Sequence, residues 1–127
     1  MRVLLDSHAL IWFLKGDSRI SEAAIKIIHN HEKEIYVSVA SIWEVGIKLS
    51  IGKLKFNGGI ERFIEAVEDN GFILLEISPE HIKTISELPF IHRDPFDRML
   101  VAQVKVEDMA IVTIDSNIVK YGVNSIW

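Results

Sequence analysis

Short apolar runs of strand length alternate along this chain with longer segments of helical period, and a sequence patterned this way has few architectures open to it. Arg2 to Leu5 reads as a buried strand, His8 to Leu14 as a short helix, and Ser21 to about His31 as an amphipathic helix with Ala24, Ile25, Ile27 and Ile28 inward. Ile35 to Val37 is the second strand. Ser38 caps a helix running to about Ile51, where Gly52 ends it, and Gly58-Gly59 precede another from Ile60 to Asn70, stopped by Gly71. Phe72 to Ile77 is the third strand. Ser78-Pro79 pairs a cap with a first-turn proline, opening a helix that ends near Leu88. After the break from Pro89 to Arg93, Asp94-Pro95 repeats the start signal for an apolar helix through Val106. Ala110 to Ile114 makes a fourth strand, and Val123 to Trp127 is a candidate fifth. The alternation predicts an α/β fold, a three-layer α/β/α domain with a mainly parallel sheet of four to five strands that binds ligands beyond their carboxyl ends.

All 127 residues read as one domain, because no repeat, low-complexity tract or Pro/Gly/Ser linker interrupts the pattern. The apolar run Val3-Leu4-Leu5 is cut by Asp6 and His8 before a secretion signal could develop. The longest apolar stretches, such as Ala9 to Leu14, fall far short of the roughly 20 residues a membrane-spanning helix needs. A cytoplasmic protein with no membrane association is therefore expected. The absence of cysteine excludes disulfides, thiolate metal sites and a cysteine nucleophile. A net charge of −4 argues against a broadly basic surface for nucleic acid, yet a nuclease can grip its substrate with a local patch and bound cations.

Four acidic residues stand where this fold would bring them together. Asp6 ends the first strand, Glu44 lies on the mid-chain helix, Asp97 opens a late helix, and Asp115 follows the fourth strand. Two unit charges about 4 Å apart repel by about 4 kcal/mol at the effective dielectric of a protein surface, so such a cluster calls for divalent cations or shifted pKa values. Each residue also has a local explanation. Asp6 and Asp94 suit helix N-caps, Asp97 suits the third position of a capping box, and Asp115 suits the turn ahead of Ser116-Asn117. Glu44 can pair with Lys48 one turn on, although both share a narrow polar seam with Ser41 on an otherwise apolar helix.

An oxygen-only donor set suits hard cations, Mg²⁺ or Mn²⁺. The pair Asp6-x-His8 raises zinc, but His29, His31, His81 and His92 lack paired metal spacing. The glycines form no phosphate loop, and there is no G-x-S-x-G elbow for serine catalysis. A phosphoacceptor role for Asp6 lacks an acidic neighbour at position 8. Lys48, Arg93 and Arg98, with Lys53 and Lys55 as a rim, are the cations expected near phosphates, or else ordinary surface charges. Trp12, Phe13 and Trp43 are candidates for either core packing or a protein interface.

Four stretches together resemble a PIN domain: Leu4-Leu5-Asp6-Ser7-His8-Ala9-Leu10-Ile11-Trp12, Ser38-x-x-Ser41-Ile42-Trp43-Glu44, His92-Arg93-Asp94-Pro95-Phe96-Asp97-Arg98-Met99-Leu100-Val101-Ala102-Gln103, and Thr113-Ile114-Asp115. The match is to the VapC-like toxin branch of toxin–antitoxin pairs, and Ser7 stands where relatives often carry Thr. The resemblance implies a Mg²⁺- or Mn²⁺-dependent endoribonuclease with an acidic site at Asp6, Glu44, Asp97 and Asp115. It also implies a homodimer, a small antitoxin that blocks the site, and cytoplasmic RNA as substrate. The alternative is a non-catalytic PIN-like module that acts through partner binding, since folds can outlive their chemistry.

Overall fold

A computed structural model describes residues 1–127. In chain order the elements are β1 (Arg2–Leu5), α1 (Ser7–Lys15), α2 (Glu22–Ile28), β2 (Glu34–Ser38), α3 (Val39–Ser50), α4 (Gly59–Asp69), β3 (Ile73–Leu75), α5 (Pro79–Glu87), α6 (Pro95–Glu107), β4 (Ala110–Val112), α7 (Ser116–Val119) and β5 (Ser125–Ile126). The five strands form one sheet in the order β3-β2-β1-β4-β5, every neighbouring pair parallel. This is the expected α/β class with the larger of the two strand counts.

β1 lies at the centre because its side chains are apolar on both faces, as a parallel strand covered on both sides requires. Val3 and Leu5 join one core with Val37, Val45, Phe63, Val67 and Val112, while Leu4 points the other way into a second core with Leu100, Val101, Ile111 and Ile118. The period-two alternation of a strand is thus preserved inside an uninterrupted apolar run. Residues of α1, α2, α3 and α4 fill the first core, and residues of α6 and α7 fill the second. No helix is long and apolar enough to cross a membrane.

The order of connections decides where a ligand can sit. The chain steps outward from β1 to β2 to β3, then crosses back to place β4 on the other side of β1 and continues outward to β5. β1 and β4 therefore flank a switch point, the place where an open parallel sheet leaves a crevice at the carboxyl ends of its strands. Register aligns those ends, with Leu5 opposite Val112. Asp6 and Thr113 are the next residues on each strand.

Several boundaries differ from expectation: β4 stops at Val112 rather than Ile114, and β5 is only Ser125–Ile126 of the predicted Val123 to Trp127. β3 keeps only Ile73–Leu75 of the predicted Phe72 to Ile77, because it is an edge strand paired with β2 alone. The helix expected to reach about His31 stops at Ile28. Asp115 begins an unanticipated short helix, α7, whose N–H of Asn117 it accepts at 2.8 Å. Trp12 and Phe13 pack against the first core, whereas Trp43 is 61% exposed and meets Phe96 edge-on at 5.1 Å.

Candidate metal centre

Asp6 leaves β1 and caps α1, so one residue serves the fold and faces the crevice. Its Oδ1 accepts the N–H of Ala9 at 2.7 Å, and its Oδ2 accepts the hydroxyl of Thr113 at 2.6 Å. At 2% exposure, burial is the main force raising its pKa above the ordinary carboxylate value. Those two hydrogen bonds oppose the rise, and the charge of Asp115 adds to it. Thr113, which carries no charge and was not among the expected site residues, joins the two strand ends. Its hydroxyl donates to Asp6 and accepts the N–H of Asp115 at 3.0 Å.

Glu44 is held on α3 by the cap at Ser38, whose Oγ accepts the N–H of Ala40, and by Ser7 donating to Ser41 at 3.0 Å between α1 and α3. Lys48 Nζ lies 3.0 Å from Glu44 Oε2, so the expected i,i+4 pair forms. It satisfies only half of the carboxylate. Oε1 is buried without a hydrogen-bond partner, and the residue is only 7% exposed. A buried polar atom left without a partner is costly and marks a place where an ion or water is called for.

Asp94 caps α6, accepting the N–H groups of Phe96 at 2.9 Å and Asp97 at 3.0 Å. The Asp97 carboxylate turns to His92, with Oδ2 3.3 Å from Nε2, rather than closing a capping box. Burial first, then the charge of Asp94, pushes its pKa up to about 7, with Asp115 and Glu44 adding to the rise and His92 opposing it. Asp115 thus acts electrostatically on both Asp6 and Asp97, and Glu44 acts on Asp97. The four acids do not close into a cage, since nowhere are three His, Asp or Glu side chains grouped tightly enough to ligate one ion directly. The charges are linked pair by pair rather than gathered in one tight group.

His92 and Tyr121 were not anticipated as part of this site. Tyr121 Oη lies 2.9 Å from His92 Nδ1 and accepts from Arg98 Nη1 at 3.0 Å. The same hydroxyl lies 3.4 Å from the His92 carbonyl, and the other ring nitrogen, Nε2, lies 3.3 Å from Asp97 Oδ2. Arg98 itself is 6% exposed and donates to the carbonyls of Pro89 at 2.8 Å and Ile85 at 3.3 Å. In place of the phosphate contact expected of it, Arg98 ties the 88–93 loop to the end of α5, where backbone carbonyls favour a cation. Arg93 is exposed and Lys48 half-buried. Lys55 lies at the far end of α1, where its carbonyl accepts from Lys15. His8 is exposed, with its ring 5.7 Å from Trp12, and has no partner set for zinc.

The donor chemistry fits a hard divalent cation. All four charged groups offer oxygen, one of those oxygens is buried and unpaired, and two acids, Asp6 and Asp97, are pushed upward by burial and by the charge of Asp115. Mg²⁺ is commonly held by one or two carboxylates with several waters retained, so a loose acidic crevice suits it better than a tight cage would.

A sequence model of the PIN domain matches residues 3–124. A search of curated proteins finds no match. Among solved structures, VapBC2 from Rickettsia felis, bound to a DNA fragment from its promoter, superimposes with a TM-score of 0.74 at 13% identity, covering 100% of this chain and 99% of that one. DNA-bound VapBC from Salmonella typhimurium gives 0.72 at 14% identity, covering 99% and 97%. A toxin–antitoxin complex from Klebsiella pneumoniae gives 0.70 at 14%, covering 98% and 96%. At these identities the likeness is one of fold.

Proposed function

Because the chain belongs to the PIN domain family, we propose that it is a metal-dependent endoribonuclease and the toxin of a toxin–antitoxin pair. The observation that carries this is the buried, unpartnered Glu44 Oε1 in a crevice where Asp97 is raised to about 7 by burial and neighbouring acids. Acidic residues so placed oppose their own ionisation, and a divalent cation resolves the conflict.

Asp6, Asp97 and Asp115 are the residues that would hold Mg²⁺ or Mn²⁺, in part through waters the ion retains, with Glu44 ligating or orienting the attacking water. The ion supplies concentrated positive charge for the phosphate oxygens and lowers the pKa of water beside it. Thr113 fixes the direction of the Asp6 carboxylate, and the ring of His92, with Nε2 3.3 Å away, fixes that of Asp97. Lys48 holds Glu44 Oε2, leaving Oε1 buried and without a partner. Arg93 is the exposed cation suited to a neighbouring phosphate.

The test is RNA cleavage with Mg²⁺ or Mn²⁺, with and without chelator, beside Asp6→Asn and Asp97→Asn. Cleavage confined to the unsubstituted protein with metal supports the proposal; equal activity in the variants defeats it. No cleavage at all would leave the non-catalytic module as the better account. The partners implied by the family resemblance are a second copy and a small antitoxin. Val39, Trp43 and Ile47 on α3 and Ile51 at its cap, an exposed apolar row spaced about one turn apart, support a protein partner. Sedimentation should show a dimer, and a monomer at every accessible concentration would remove that partner.

A further inference from the structure

The loop between α5 and α6 carries Phe90 at 81% exposure, the largest value among the exposed large apolar side chains. Its ring is not loosely placed. The guanidinium carbon of Arg98 lies 4.4 Å from the ring centroid, and Arg98 is itself fixed by the carbonyls of Ile85 and Pro89 and by Tyr121. A planar cation therefore backs one face of the ring, the contact that Arg makes best with aromatics, and the exposure belongs to the rest. Phe90, Ile91, His92 and Arg93 line an open hollow of about 670 Å³. Through His92 this hollow adjoins Asp97, 3.3 Å from Nε2.

We propose that Phe90 is the stacking platform for one unpaired nucleobase of the RNA, beside the acidic crevice, with Arg93 taking an adjoining phosphate. This rests on the ribonuclease proposal and narrows its substrate to RNA whose bases are splayed out at the cut. An aromatic face set among cations is how single strands are gripped, because every base offers a π-face and stacking needs no particular sequence. A protein partner fits the patch less well. The apolar row on α3 runs along a helix for several turns, whereas the Phe90 patch is one ring and Ile91 between His92 and Arg93. A duplex would keep its bases in their own stack and leave the ring uncovered.

The test uses Phe90→Ala and Phe90→Trp in an Asp6→Asn background, which prevents cutting, with Mg²⁺ present. Kd is measured for a labelled unstructured oligoribonucleotide, the same sequence as a duplex, and the same backbone with abasic sites. Phe90→Ala should weaken single-strand binding by roughly 5- to 100-fold, the span for loss of one stacked base. Phe90→Trp should restore it. Its added emission, taken as the difference from the parent with Trp12, Trp43 and Trp127, should be quenched by the single strand and not by the abasic backbone. Equal Kd for Phe90→Ala and parent, or equal quenching by the abasic strand, would overturn the platform. So would unchanged RNA binding with lost dimer or antitoxin association, which would assign the ring to a protein. If RNA is cut by the unsubstituted protein and by Phe90→Ala alike, only the platform fails. If the unsubstituted protein neither binds nor cuts RNA, the ribonuclease proposal itself falls.

Discussion

His81 and His92 are built alike and end in different chemistry. Each ring has a partner at Nδ1, the Ser78 N–H at 3.0 Å or the Tyr121 hydroxyl at 2.9 Å, and each sets Nε2 3.3 Å from a carboxylate, Glu107 or Asp97. Beyond the carboxylate the two regions part. Glu107 meets Arg2 at 3.9 Å, and His81 completes a capping box at the start of α5. Asp97 instead meets the charges of Asp94, Asp115 and Glu44. A histidine–carboxylate pair is therefore not a site by itself. Where a cation lies behind the acid, the pair is a structural tie; where more acids lie behind it, the local charge is left for something else to balance.

Exchanging one histidine at a time gives the largest separation between the two regions. His92→Gln should weaken Mn²⁺ binding, followed by calorimetry, by roughly 10- to 100-fold, the usual effect of removing a group that orients a ligand. His81→Gln should leave that affinity unchanged and lower stability by about 1–3 kcal/mol, because it removes a buried cap partner. Comparable loss of Mn²⁺ affinity in both variants would erase the distinction.

A smaller effect separates the two acids. Asp97 stays protonated up to about pH 7 in the folded protein, while in the unfolded chain it ionises from about pH 4. In metal-free buffer it therefore subtracts from stability progressively as pH rises between those values, and the loss is complete above pH 7. Asp97→Asn should remove that part of the slope and gain about 1–2 kcal/mol at pH 8 by urea unfolding, whereas Glu107→Gln should gain nothing. An unchanged pH slope in Asp97→Asn would show that its neighbours do not oppose its charge.

Much of the fold was legible because its signals are local. Proline after Ser78 and Asp94 marks helix starts, and the structure places α5 and α6 there. Period-two apolar residues in β1 serve two cores from one run. The position of Asp6 just past the end of β1 followed from the same pattern, whereas β4 ends at Val112 and Asp115, further on, caps α7. Capping does not remove these acids from the local field: Asp6 and Asp115 each cap a helix, and the charge of Asp115 still acts on both Asp6 and Asp97. Arg98 was misjudged for a physical reason. Charge alone suggests solvent, and nothing in its neighbours reveals that the carbonyls of Ile85 and Pro89 will surround it.

The chain by itself determined the order of strands and helices, the apolar faces and the acids at the sheet's mouth, because hydrophobic period, capping and turn chemistry act over a few residues. Only the folded molecule decided that Thr113 would bind Asp6 across 107 positions of sequence, that Tyr121 would orient His92 toward Asp97, and that one oxygen of Glu44 would be buried without a partner. Those outcomes depend on how distant segments pack, since burial and mutual charge exist only once the sheet and its helices have closed around them.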